Sequence, residues 1–313
     1  MRRRLPSVIM RAGQIAITAM MLALLWRVVG AAEAARSLAS ADVAWLAAAL
    51  VALTLQTVLS AMRWQLTASQ LGIHLETGAA IREYYLAQVV NLSLPGGVIG
   101  DAGRAVRARG QAGLMASGQA VVFERLAGQA GLFLITAVTF ILTLALPGGV
   151  EWPTWLIAPV ALFISGGLSL PAGVYALTHI QGRVGRVLGS FWRAMVLSLA
   201  ARAVVLRQIL LSLATTICNL AAFGFCAQAV GHGVSPIAVL AFVPLILLTM
   251  LIPLTISGWG LREGAAAVLF PMAGSTASGG LAASVAFGLM LILAVLPGLL
   301  MLLGRGRKPT RER

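Results

Sequence analysis

The chain has 313 residues, 59% of them hydrophobic and only 10% charged, with a mean hydropathy of +0.94. A soluble domain of this length needs far more charged surface, so the composition excludes a water-soluble globule and indicates an all-α polytopic membrane protein. The net charge of +14 does not indicate nucleic acid, because the arginines stand between apolar runs and not along a polar, aromatic-laced face.

The N-terminus, "MRRRLPSVIMRAGQIAITAMMLALLWRVVGAAEAA", has the basic start and apolar centre of a secretory signal, but Arg27 interrupts its end, and an uncleaved first helix is expected. Apolar runs long enough to span a bilayer core of about 30 Å occur near residues 13 to 30, 43 to 61, 126 to 148, 155 to 177, 208 to 230 and 281 to 303. These six give a single integral membrane domain. Two further stretches, 79 to 94 and 237 to 256, each run into a Gly-rich break followed by charges, "PGGVIGD" and "SGWGLREG".

Positive charge decides the orientation. Arg2, Arg3, Arg4 and Arg11, the 178 to 207 connection with five arginines, and the basic 304 to 313 tail are cytoplasmic in this reading. The connections 31 to 42, 149 to 154 and 231 to 236 carry only Arg36 between them and are external. That alternation holds only if both ambiguous stretches return to the side they came from or cross twice. They are therefore read as broken re-entrant hairpins, entering from opposite sides. The stretch 181 to 207 either lies along the cytoplasmic interface or is a loop leading into the next helix.

Setting the breaks side by side without gaps places Pro95 on Ser257, Gly96 on Gly258 and Asp101 on Glu263. Each hairpin is flanked by one helix before and one after, giving an inverted repeat of about residues 43 to 148 and 208 to 303. Broken backbone at membrane depth requires a protein or water-filled surrounding to satisfy its N–H and C=O groups, and a half-helix N-terminus favours an anion. The break residues are Pro95, Gly96, Gly97, Gly100, Ser257, Gly258 and Gly260. Gly97, Gly100 and Gly103 recur every third residue and permit close approach.

Asp101, Arg104, Glu124, Arg125, Arg262 and Glu263 lie in or beside the hairpins. A charge at the bilayer centre costs about 3 kcal/mol, so these are expected to pair or to face water and a ligand. Cys218 and Cys226 sit within one apolar helix, and His74, His179 and His232 in loops, so no disulfide, metal site or cofactor is expected. A P-loop is absent, which excludes ATP as the direct drive. Ser257 in "TISGWG" has no histidine within plausible reach, so no Ser/His chemistry is expected.

"NLSLPGGVIGDAGRAVRARG", then "ASGQAVVFERLAG", then "IPLTISGWGLREGAAAVLF" resemble the signature blocks of the flippase-like, lysylphosphatidylglycerol-synthase transmembrane-region family, whose usual forms are close to "LPGGxGGDxxR", "ERxxG" and "PxSxGGxGxRE". The departures are Ile99-Gly100 where a Gly-Gly pair is common, and Trp259 where a second Gly is common. The resemblance implies a multi-pass protein of a bacterial inner membrane that handles lipids, without naming the lipid. Members fused to a cytosolic aminoacyl-transferase domain make and translocate aminoacylated phosphatidylglycerol; that domain is expected to be absent, since the chain ends at Arg313. Carried over by position, Asp101, Arg104, Glu124, Arg125, Arg262 and Glu263 are the central polar residues. Arg104, Arg125 and Arg262 would hold an anionic head group and the three acids would orient them. The expected partner is a membrane lipid head group, together with lipid-biosynthesis enzymes. The alternatives are an accessory subunit and an intramembrane enzyme.

Overall fold

The computed structural model describes residues 15–24, 31–93, 98–145, 150–252 and 254–303. Pro95, Gly96 and Gly97, residues 25–30 of the first expected crossing, and both chain termini therefore lie outside the described residues. Among the described residues the regular secondary structure is all helical, with no strand: α1 (Ile15–Leu24), α2 (Ala31–Ala39), α3 (Val43–Ser69), α4 (Thr77–Ser93), α5 (Ile99–Ala145), α6 (Thr154–Leu177), α7 (Arg183–Leu199), α8 (Val205–Ala229), α9 (Pro236–Leu248), α10 (Leu261–Leu269), α11 (Ala277–Ala294) and α12 (Leu296–Leu303). Several starts are set by side chains that accept from orphan N–H groups: Asp42 from Ala44 N at 2.7 Å, Ser235 ahead of Pro236, and Thr276 from Gly279 N at 2.9 Å.

Five helical stretches are long and apolar enough to cross a membrane, namely α3, α5, α6, α8 and the continuous Ala277–Met301. Their outer surfaces carry large apolar side chains, such as Ile141, Leu162, Leu168 and Leu300. Their interior holds Arg63, Asp101, Arg104, Glu124, Arg262 and Glu263, none more than 7% exposed. Apolar residues outside and ionic residues inside is the distribution a lipid solvent imposes.

Two expected boundaries shift. The helix expected to end at residue 61 continues to Ser69, because no Gly or Pro occurs before Gly72, whose φ of 77° ends the turn that follows. The crossing expected from residue 126 starts earlier, at Gly113. That glycine (φ 81°, ψ 171°) divides α5 into a limb of residues 99–112 and a long span of residues 114–145, and Glu124 and Arg125 consequently lie within the span.

The limb of residues 99–112 runs antiparallel to α4. Asn91 accepts from Gly100 N at 2.7 Å near the break, Arg107 pairs with Glu83 midway, and Gln111 exchanges two hydrogen bonds with the His74 backbone at the mouth. A Cβ on Gly100 would lie 2.0 Å from the Ala87 carbonyl oxygen, whereas one on Gly110 would meet nothing within 4 Å. Gly100→Val is therefore expected to cost about 1–3 kcal/mol through overpacking, read as a lower thermal midpoint in detergent, while Gly110→Ala leaves the midpoint unchanged or raises it.

The second hairpin is α9, a break and α10. Its break holds Ser257 at φ 50°, Gly258 at φ 77° and Gly260 at φ 90°, a run of left-handed backbone that costs little at glycine and about 1–2 kcal/mol at serine. His232, before α9, lies against Gly279, at the start of α11, so this hairpin also closes on the end it opened from. α3 and α8 pack antiparallel, tied by Asp42 N to Ala229 O at 2.8 Å and Gln208 Nε2 to Thr67 Oγ1 at 2.9 Å. Each hairpin follows the C-terminal end of one of these two helices, so they enter the bundle from opposite ends. The second break meets the end of α4: the Ser257 hydroxyl donates to Leu92 O at 3.0 Å. The connections 31–42 and 230–235 share one end, where Ser37 meets His232 at 3.3 Å. The arginine-rich connection lies at the other end, where Gln208 donates to Ser198 O at 3.1 Å.

Candidate functional site

Between the hairpin tips, α3, α8 and the long span of α5 lies a cavity of about 530 Å³. Its lining includes Asp101, Glu124 and Arg125, together with Arg63, which lies beyond the apolar run of residues 43 to 61 but inside α3. Both breaks reach it, through Asn91, Leu92 and Val98 on one side and Thr255, Ser257 and Gly258 on the other.

The charged groups form one chain. Thr215 Oγ1 accepts from Arg63 Nη1 at 2.8 Å, and Arg63 Nη2 is 2.8 Å from Glu124 Oε1. The other carboxylate oxygen of Glu124 is 3.2 Å from Arg104 Nη2, which is also 3.1 Å from Asp101 Oδ1. Asp101 Oδ2 pairs with Arg125. Tyr84 donates to Glu124 Oε1 at 3.2 Å. The Arg104 guanidinium sits 4.5 Å from the centroids of both Trp64 and Tyr84, a desolvated cation–π clamp, and its Nε and Nη1 have no hydrogen-bond acceptor. Arg104 is thus locked by its neighbours. Arg125, with its side chain 42% exposed, is the end of the chain that opens into the cavity.

Three guanidinium groups here face two carboxylates, so the cluster carries one net positive charge in a low-dielectric surrounding. The walls add amides from Gln56, Gln88, Asn91, Gln129 and Asn219 and hydroxyls from Thr216 and Thr255. Two lining atoms, Thr255 Oγ1 and Gln129 Oε1, are buried without a hydrogen-bond partner, a costly condition that a polar ligand relieves.

Of the expected site residues, the structure brings Asp101, Arg104, Glu124 and Arg125 together and places Arg262 and Glu263 in a second cluster. Arg262 Nη2 is 2.6 Å from Glu263 Oε1 and donates to Ser284 O at 3.0 Å, while its Nε donates to Ser284 Oγ at 2.9 Å. Glu263 also accepts from Gly260 N at 2.6 Å, fixing the first turn of α10. The Arg262 guanidinium lies 5.1 Å from the Trp259 ring and 5.4 Å from that of Phe287, and Phe287 lines the cavity. This pair therefore backs the cavity wall. Ser284→Ala removes the hydroxyl that accepts from Arg262 Nε and donates to Glu263 Oε1 at 3.0 Å, and is expected to cost about 1–3 kcal/mol, measured by thermal unfolding.

Arg63 carried a signal. Gln56, Ser60, Arg63 and Thr67 recur at i, i+4, i+7 and i+11 on α3, and Gln208, Ser212, Thr215 and Asn219 repeat that spacing on α8. Two polar stripes at helical period inside otherwise apolar helices must face each other or water. Among the described residues no group of three or more His, Cys, Asp or Glu could hold a metal ion.

The fold and site define a multi-pass helical membrane protein with an ionic cluster buried at the meeting point of two helix breaks. The lysylphosphatidylglycerol synthase TM region signature matches residues 11–298, and the chain belongs to that family, whose integral membrane proteins are linked to lipid metabolism. No curated protein matches the chain, and no solved structure does.

Proposed function

We propose that the protein takes the anionic or polar head group of a membrane lipid into the central cavity and passes it between leaflets, without direct use of ATP. The observation that carries this reading is the buried chain Arg63, Glu124, Arg104, Asp101, Arg125, which ends in a half-exposed guanidinium inside a cavity bounded by both breaks. One net positive charge among amides and hydroxyls suits a phosphate with polar substituents, and the apolar exterior suits the acyl chains. The matched polar stripes of α3 and α8, and hairpins entering from opposite ends to meet at their tips, support an inverted repeat of residues 43–148 and 208–303 within one membrane domain. The positive-inside rule puts the basic 178–207 connection on the cytoplasmic side of a bacterial inner membrane. The hydroxyl of Ser257, committed to Leu92 O, supports a tip-joining role for that residue. Lipid-biosynthesis enzymes are the expected suppliers or consumers of the lipid.

The test is exchange of fluorescent anionic and neutral lipids across vesicles containing the purified protein. The expected result is protein-dependent exchange of anionic lipid with the lipid recovered intact. Chemically altered lipid without exchange would move the assignment to an intramembrane enzyme; neither exchange nor alteration would leave an accessory subunit as the better reading.

A further inference from the structure

A second groove, of about 580 Å³, lies between the C-terminal end of α6 and α7, shares no lining residue with the central cavity, and is lined by Thr178, His179, Arg186, Trp192 and Arg193 among others. We infer that it binds the phosphate of an anionic membrane lipid, held at the bilayer surface with its acyl chains against α7.

Arg186 and Arg193 stand two helical turns apart on the same face of α7. No Asp or Glu occurs anywhere between Glu151 and Glu263, and among the described residues the ion pairs engage neither arginine. The groove thus concentrates positive charge with no counter-charge of its own. It is also shaped. A Cβ on Gly185 would lie 1.8 Å from Ile180 O, so α7 presses onto the turn after α6; Gly189 is buried, and Arg193 Nη1 lies 3.5 Å from where its Cβ would stand. The guanidinium therefore folds back over the groove floor. Tyr175 forms an aromatic wall, 4.9 Å from His179 and 5.7 Å from Trp192 between ring centroids.

The surroundings select a lipid over a soluble phosphate. Val184, Val187 and Leu197 on α7 and Ile180 beside it are each at least half exposed, so the same 17-residue helix offers arginines to an anion and branched apolar side chains to hydrocarbon. An amphipathic helix of this kind lies in the membrane interface, where Tyr and Trp also settle. Planar guanidinium groups grip phosphate oxygens in pairs.

The test uses the full chain in mild detergent, titrated with dioleoylphosphatidic acid and read by native mass spectrometry. Arg186→Gln/Arg193→Gln is expected to weaken one lipid site by about 30-fold, the combined effect of two arginines at an anionic surface. Arg202→Gln/Arg207→Gln, an equal charge change at exposed positions outside the groove, is expected to leave that site intact, and millimolar glycerol 3-phosphate is expected not to compete. Thermal midpoints check that both variants fold. Equal weakening by the two double variants, wild-type affinity in the groove variant, or displacement by glycerol phosphate would each overturn the inference. Loss of the groove site with unchanged lipid exchange would separate it from the central cavity.

Discussion

Replacing Glu124 with leucine is expected to destabilise the protein by about 3–5 kcal/mol, the cost of leaving a buried charge without its partner, and to abolish lipid exchange with it. Glu124 is 1% exposed and is the one carboxylate that touches both Arg63 and Arg104. It also receives the Tyr84 hydroxyl. Without it Arg63 retains Thr215, and Arg104 retains Asp101 within its aromatic clamp. Glu124→Gln keeps an acceptor but loses the charge, so a smaller loss is expected. Arg63→Met combined with Glu124→Leu should recover part of the stability, because an apolar pair of similar volume escapes the desolvation cost. A Glu124→Leu protein that unfolds at the wild-type temperature would remove the network from the account of the fold.

The second large effect is functional. Arg125→Glu is expected to slow exchange of anionic lipid by about 100-fold or more, since it turns the cluster from one net positive charge to one net negative charge and sets like charge against the ligand, a penalty of several kcal/mol. Arg125→Lys keeps the charge but not the paired grip on phosphate, and a loss of only a few-fold is expected. Arg125 is the least buried member of the cluster, so these variants should fold. Equal exchange rates in wild type and Arg125→Glu would show that head groups do not pass this side chain.

Much of the architecture was legible because lipid imposes simple rules on sequence. Starts near residues 43, 155 and 208 followed from apolar runs, and the break after α9 from a Gly-rich stretch followed by an acid. Arg63 was missed because the apolar run was closed at residue 61, where composition changes but no helix breaker stands. Reading the polar residues of α3 at helical spacing, instead of counting apolar ones, would have placed it inside. The division of labour among the arginines was not legible. Arg104, Arg125 and Arg262 look alike in sequence, and only packing distinguishes a guanidinium clamped between Trp64 and Tyr84 from one facing a cavity and one holding α10 against Ser284. The contact of Ser257 with Leu92 spans 165 residues and has no local signature at all. Glu263 did carry one: an acid three residues after Gly260, in the first turn of α10, reads as a helix cap as readily as a ligand group.

In the proposed function, a lipid head group enters one ionic cavity where two helix breaks approach from opposite sides. An experimental structure in nanodiscs containing anionic lipid tests it most directly. The expected result is head-group density within hydrogen-bond reach of Arg125, beside Asn91 and Thr255, with both breaks inside the bilayer. A cavity filled by acyl chain alone, or breaks lying at the two membrane surfaces, would contradict it.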